Sequence, residues 1–440
     1  MSTEARRAGA ALPVAEQEVV ELLSDLIRID TSNPTHPERP AAEWVAERLH
    51  EVGIACELID AAPGRTSVVA RVPGRDSSRP ALLVQGHLDV VPADAAGWSV
   101  HPFSGEVREG CVWGRGAVDM KNMDAMVLAV VRDWARRGLA PERDLVLAFV
   151  ADEENGGHFG SRYLVEHHSE RFADCTEAIG EVGGFSVELN DRARLYLIQT
   201  AEKGISWLRL RATSRAGHGS MLHDANAVTR LAGAVSRIGE HEFPLVISDA
   251  DRELLDAVAE ICGIDWDPAD PTECLSRLGP LARVVGASLR NTANPTMLQA
   301  GERVNVVPSR AEAAIDARFV PGGEDALLGE IDRLMGPGVE REQLHSAVSV
   351  QTPFEGALVD AMAAALRAED PLARAVPYTF SGGTDAKAFS TLGIRCFGFS
   401  PLMLPRGFDF ASVFHGIDER VPIAALEFGV RVLGRLLATA

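Results

Sequence analysis

Leu82-Leu83-Val84-Gln85-Gly86-His87-Leu88-Asp89 reads as a short apolar strand that runs directly into a histidine and an aspartate. The same design recurs in Ala148-Phe149-Val150-Ala151-Asp152-Glu153-Glu154 and in Ala178-Ile179-Gly180-Glu181. Apolar runs this short, each closed at once by a loop, predict buried strands over 81–85, 145–151 and 178–181. Between the first two, Met123, Met126, Val127, Val130, Val131 and Trp134 recur at helical spacing, which predicts a core-packing helix over 122–138. Helices predicted at 19–27 and 41–52 extend the alternation. Helices interleaved with short buried strands imply an α/β fold with a parallel or mixed sheet.

Beyond residue 200 the pattern changes to an extended stretch (205–212), a helix (225–238), two strands separated by Pro308, a helix (324–335) and a strand (343–350). That is an α+β insert over 200–352, dividing the α/β domain into 1–199 and 353–440. Within the insert, 240–293 is acidic and punctuated by proline, an insertion inside the insertion. Past residue 357 the α/β character returns with a helix, a strand at 394–399 and a last helix opened by Pro422.

With 440 residues, 46% of them hydrophobic and 24% charged, the chain has room for two domains. A net charge of −20 excludes nucleic acid and anionic membrane as natural partners. No apolar run is long enough for a membrane span, and the early run from Ala8 to Val14 is broken by Pro13 and followed by Glu16 and Glu18, so no signal peptide is expected. Six cysteines scattered without paired spacing suit a reducing, cytoplasmic setting.

In open α/β sheets the loops leaving the carboxyl ends of strands form the ligand crevice. Three predicted strands end there in His87 and Asp89, in Glu153 and Glu154, and in Glu181. Asp119 closes the glycine-bearing turn Gly114-Arg115-Gly116-Ala117-Val118-Asp119, and His415 precedes the last helix. Any one of these alone is an ordinary turn or cap residue, and Gly156-Gly157 alone is a turn. Their agreement is not ordinary. Two adjacent acids after a buried strand repel unless a cation or a shared proton intervenes. Neighbours on extended backbone point to opposite sides, so one acid can ligate while the other faces a reacting water. His87 and Asp89 point the same way, which predicts that the Asp89 carboxylate holds the imidazole.

Gly86-His87-Leu88-Asp89-Val90-Val91-Pro92, Trp113 to Lys121, Asp152-Glu153-Glu154 with Gly156-Gly157, Ala216-Gly217-His218-Gly219-Ser220 and His415-Gly416 occur in an order that resembles one family. It is the dizinc peptidase family of aminoacylase, carboxypeptidase G, acetylornithine deacetylase, succinyl-diaminopimelate desuccinylase and several dipeptidases. Trp98, Pro102-Phe103-Ser104-Gly105 and Trp113 are most similar to its carboxypeptidase-S-like branch. The resemblance covers nearly the whole chain. It implies a mixed-sheet zinc-peptidase catalytic domain carrying an inserted α+β lid and dimerisation domain. It further implies two zinc ions, with cobalt or manganese also compatible. Asp119 bridges them, His87 and Glu181 complete one site, and Glu154 and His415 complete the other. Glu177 and Glu188 are the nearest alternatives to Glu181.

In that scheme Glu153 is the general base, and the bond Asp119-Met120 is cis. His218 stabilises the oxyanion, frequently across a homodimer interface. Asn305 and Arg318 take the substrate carboxylate, and Gly383, within Ser381-Gly382-Gly383-Thr384-Asp385, lines the cleft. Arg318 could instead pair with Asp316 as a strand-edge ion pair. The implied substrates are small peptides or N-acyl amino acids. A catalytically silent receptor relative is disfavoured because every ligand type and the base are present. A nucleotide-binding enzyme is disfavoured because no glycine-rich phosphate loop follows an early strand.

Overall fold

The computed structural model describes residues 14–440, so Ala8 to Pro13 of the early apolar run lie outside the described residues. Two compact units result. The first comprises the chain up to Gln199 with Phe354–Val376 and Thr384–Ala440, and the second Thr200–Pro353 with Pro377–Gly383.

The first unit is built on a mixed sheet. Leu145–Val150, Ala81–His87, Cys175–Gly180 and Arg395–Gly398 lie side by side and parallel. Cys56–Ala62 and Arg65–Val72 extend one side antiparallel, and Ala193–Glu202 joins the other through Gln199 opposite Gly398. Every residue of Ala81–His87 and of Leu145–Val150 is buried, as expected of strands covered on both faces. Helices Ala15–Arg28, Lys121–Arg137 and Ile423–Thr439 pack against one another. Leu83, Val146, Val150 and Ala178 of the sheet share a core with Leu164, Phe172 and Phe389.

The second unit is a four-stranded antiparallel sheet in the order Thr292–Ala300, Arg310–Phe319, Gly204–Thr213, Val339–Ala347. Leu208, Leu210, Ala313 and Ile315 face helices Ala227–Gly239 and Glu324–Met335 through Leu231, Ile238, Leu327 and Ile331. The 240–293 stretch carries helices Asp249–Cys262, Thr272–Arg277 and Ala282–Ser288. Two buried charges fasten it. Asp251 accepts hydroxyl bonds from Ser248, Ser288 and Thr379, and Lys203 Nζ donates to the carbonyls of Ala287 and Arg290 and to Thr292 Oγ1.

Some elements depart from the sequence reading. The strand expected at 343–350 runs instead over Val339–Ala347, through Glu340, Arg341 and Glu342. Charge is tolerated there because one face of the sheet is wet, and cross-strand pairs such as Arg209 with Glu342 occupy it. The hairpin of Cys56–Ala62 and Arg65–Val72 has no strong apolar alternation; it closes at Gly64, whose φ of +82° favours glycine. No helix among the described residues is long and apolar enough to cross a membrane.

Candidate metal centre

Parallel pairing aligns the strand ends. His87 lies opposite Val150 and Val84 opposite Ile179, so the segments bearing His87, Glu153-Glu154 and Glu181 emerge together. Asp152, Val182 and His415 all have left-handed φ, between 54° and 65°. Non-glycine residues rarely adopt this conformation, and for the β-branched Val182 it is the most costly. Each of these sharp bends turns a chain segment at the pocket. The Asp119–Met120 peptide bond is cis, as the resemblance implies.

Asp119 is the centre of the arrangement. Its Oδ1 lies 3.2 Å from His87 Nε2, and its Oδ2 lies 3.0 Å from His415 Nε2. A further acid stands beside each imidazole: Glu181 Oε2 is 3.5 Å from His87 Nε2, and Glu154 Oε1 is 3.2 Å from His415 Nε2. Ligand atoms bonded at about 2.0–2.2 Å to one tetrahedral ion stand about 3.3–3.6 Å apart, close to these spacings. His87, Asp119 and Glu154, and likewise His87, Glu153 and Glu181, each gather ligand atoms within 4.8 Å of one another. Glu153 is therefore close enough to ligate as well as to act as a base.

The electrostatics fit a cation. Burial first, then the charge of Glu181, pushes the Glu153 carboxyl well above its ordinary range. Burial likewise raises Glu181 to about 8. Hydrogen bonds to Asp119 and Glu154 raise His415 to about 10. Burial opposes protonation of His87, but Glu181 and Asp119 outweigh it and raise that imidazole too. Burial would raise Asp119 as well, yet the two imidazoles bonded to it hold it below the usual carboxylate range. Oε1 of Glu181 is buried without any hydrogen bond. Four carboxylates facing two imidazoles carry the charge that two divalent cations would balance, and the donor set suits zinc.

The surroundings correct one expectation. His87 Nδ1–H donates to the backbone carbonyl of Asp89, at 2.9 Å, whereas the Asp89 carboxylate stands 3.6 Å away. That carboxylate accepts the backbone N–H groups of Glu153 (3.1 Å) and Glu154 (3.0 Å) and so fixes the acid pair. The shared direction expected of His87 and Asp89 needs extended backbone, but the strand ends at His87, and beyond it the carbonyl of Asp89 rather than its side chain meets the ring. Asn33 Nδ2, which no sequence signal marked, donates to both Asp89 and Asp152 at 2.9 Å. Of the alternatives to Glu181, Glu177 is engaged by Arg143 and Glu188 lies in strand Phe185–Asn190; neither approaches His87 in the way Glu181 does.

His218, Asn305 and Arg318 belong to the second unit. His218 is exposed and pairs with Val306, and the Gly219 N–H donates to the Asn305 carbonyl at 2.9 Å. Arg318 Nε and Nη2 fork onto Asp316 at 3.0 and 3.1 Å, in an interior strand rather than at an edge. Gly383 lies in the loop after strand Ala373–Phe380, but the crowded glycine there is Gly382, where a Cβ would meet the Phe380 ring at 2.4 Å.

A model described as Peptidase family M20/M25/M40 matches residues 83–439. The chain belongs to that family. As a family member it is a metallopeptidase or amidohydrolase. It is 26% identical to the N-fatty-acyl-amino acid synthase/hydrolase PM20D1 of Xenopus tropicalis, over 96% of this chain and 85% of that one. It is also 26% identical to aminoacylase-1 of Sus scrofa, over 96% and 95%. Its fold is similar to that of an M20 family metallo-carboxypeptidase, Sso-CP2, of Sulfolobus solfataricus, with a TM-score of 0.73, 18% identity and coverage of 96% and 98%.

The loop that carries the acid pair leaves no room at its exit. A Cβ on Gly160 would stand 1.7 Å from the Ala151 carbonyl oxygen, at the loop's entrance. Gly160→Ala should therefore destabilise the protein by at least about 1–3 kcal/mol in denaturant unfolding. Gly329→Ala is the control: it is exposed in helix Glu324–Met335 with open space around it, and should stabilise by about 0.5–1 kcal/mol. Equal effects of the two would contradict the crowding at Gly160.

Proposed function

We propose that this M20-family protein hydrolyses the amide bond of small peptides or N-acyl amino acids that carry a free carboxylate. The observation that carries the reading is Asp119, which offers one oxygen to each of two imidazoles while a further acid flanks each imidazole. His87 and Glu181 would hold one divalent cation and Glu154 and His415 the other, with Asp119 serving both; zinc suits the set, and cobalt or manganese would be accepted. When bound, two such cations would supply polarisation of the scissile carbonyl and acidification of a water. Glu153 takes the proton of that water and delivers it to the leaving nitrogen. Asp89 keeps Glu153 aimed by holding its backbone N–H.

The names of the relatives support the substrate range: aminoacylase-1 and N-fatty-acyl-amino acid synthase/hydrolase on the N-acyl side, a metallo-carboxypeptidase on the peptide side. Arg318 and Asn305 bind the substrate carboxylate; Asp316 engages Nε and Nη2 of Arg318, which leaves Nη1 for the ligand. Gly383 lines the cleft. Six free cysteines suit a cytoplasmic setting. His218 stabilises the oxyanion, and the second unit, as a lid, pairs with that of another copy. Met221, Leu222, Val304 and Val306 are exposed near His218, apolar surface that a second copy would cover.

Glu153→Gln should keep near-normal metal content by elemental analysis and lose most turnover. Loss of bound metal in that variant would show Glu153 to be a ligand instead. Arg318→Ala should lower kcat/KM by about 1.5–3 kcal/mol on carboxylate substrates, the scale of a charged hydrogen bond, and amidating the substrate should cost the parent a similar amount. Equal rates on free and amidated substrates would remove Arg318 from this role. Mixing His218→Ala with Glu153→Gln under subunit exchange should restore part of the activity if His218 serves the partner's site. No recovery with exchange confirmed would place its action within one chain or nowhere.

A further inference from the structure

We infer that Glu419, which no family motif named above includes, is a positioning residue that locks the two halves of the His415–Asp119 contact together. The inference rests on the reading of Asp119 and His415 as metal ligands. Glu419 is fully buried and lies four residues beyond His415. Its Oε1 accepts the backbone N–H groups of Val118 at 2.8 Å and of Asp119 at 3.3 Å, and its Oε2 accepts Arg115 Nη1 at 2.7 Å. Arg115 closes the loop: its Nη2 donates to the carbonyl of His415 at 3.3 Å, and its guanidinium lies over the Trp98 ring. The Glu419 carbonyl also accepts the Gly114 N–H at 2.9 Å. One buried carboxylate thus ties the segment that delivers His415 to the turn that delivers Asp119, about 300 residues away in sequence.

Chemistry makes glutamate specific here. Both oxygens accept, and the three groups bonded to them are donors. A glutamine offers a single oxygen. It would leave its own NH2 against either the guanidinium or the backbone N–H groups, and the turn would shift. The loss should therefore appear in the metal site and not only in stability.

The test titrates the metal-free full-length protein with Co2+ alone, following its visible absorption, beside thermal unfolding without metal. Glu419→Gln should weaken Co2+ binding by about 10–100-fold, the usual effect of disturbing the partners of metal ligands, and alter the band shape. Arg115→Lys keeps a cation but cannot reach both Glu419 and the His415 carbonyl, and should weaken binding in the same direction. It serves as the second variant should Glu419→Gln fail to fold. Parent-like Co2+ affinity in whichever variant folds, even with a lowered Tm, overturns the inference. His415→Ala separates the two claims. If it binds Co2+ as the parent does, the ligand assignment itself has failed; if it weakens binding and the Glu419 and Arg115 variants do not, only the role of Glu419 has failed.

Discussion

Two carboxylates held 4 Å apart in a protein environment of effective dielectric about 20 repel by about 4 kcal/mol, and this pocket gathers Asp119, Glu153, Glu154 and Glu181 around two imidazoles. Such a cluster persists only if the fold holds it rigidly and a counter-charge relieves it. The rigid frame is the set of parallel strands, whose register fixes the origin of His87, of the acid pair and of Glu181 to within a residue. The counter-charge is that of divalent cations, to which the two-histidine, carboxylate-rich donor set is suited.

The frame has a price in buried polarity, and the structure meets it with more hydrogen bonds. Asp89 and Asp152 are fully buried beside the pocket, yet both accept the amide of Asn33, and their carboxylates accept backbone N–H groups, two at Asp89 and one at Asp152. Glu419 likewise accepts the backbone N–H groups of Val118 and Asp119, and Arg115 donates to it. A buried acid left without donors loses its hydration with nothing in exchange, whereas these hydrogen bonds offset part of that loss; for Glu419 burial still outweighs them and pushes its carboxyl up to about 7. The acids around the centre are therefore divided: Asp89, Asp152 and Glu419, bonded to donors of the protein, hold the loops, and Glu181, with an oxygen that accepts no hydrogen bond, faces the centre.

Much of this was legible along the chain. The strands ending in His87, Glu154 and Glu181 carry their apolar runs and their acids in adjacent positions, so period and punctuation located them to within a few residues. The helix over Glu324–Met335 was read to its ends, because its apolar stripe is uninterrupted and glycines flank it. Elements whose stability comes from neighbours were not legible in this way. The charged strand Val339–Ala347 and the polar hairpin at Gly64 owe their form to partners distant in sequence.

The division follows from the range of the forces involved. Strand and helix period, loop punctuation and the identity of metal-capable side chains are local properties, and they sufficed to give the α/β class, the inserted unit and His87, Asp119, the Glu153–Glu154 pair, Glu181 and His415 as candidates; the division of these into ligands and base came from the family resemblance. Which atom of Asp89 meets the His87 ring, why Asn33 matters, and how Glu419 reaches the Asp119 turn were decided only by the tertiary structure. Those contacts join residues tens to hundreds of positions apart, and a hydrogen bond depends on distances of tenths of an ångström that no linear pattern encodes.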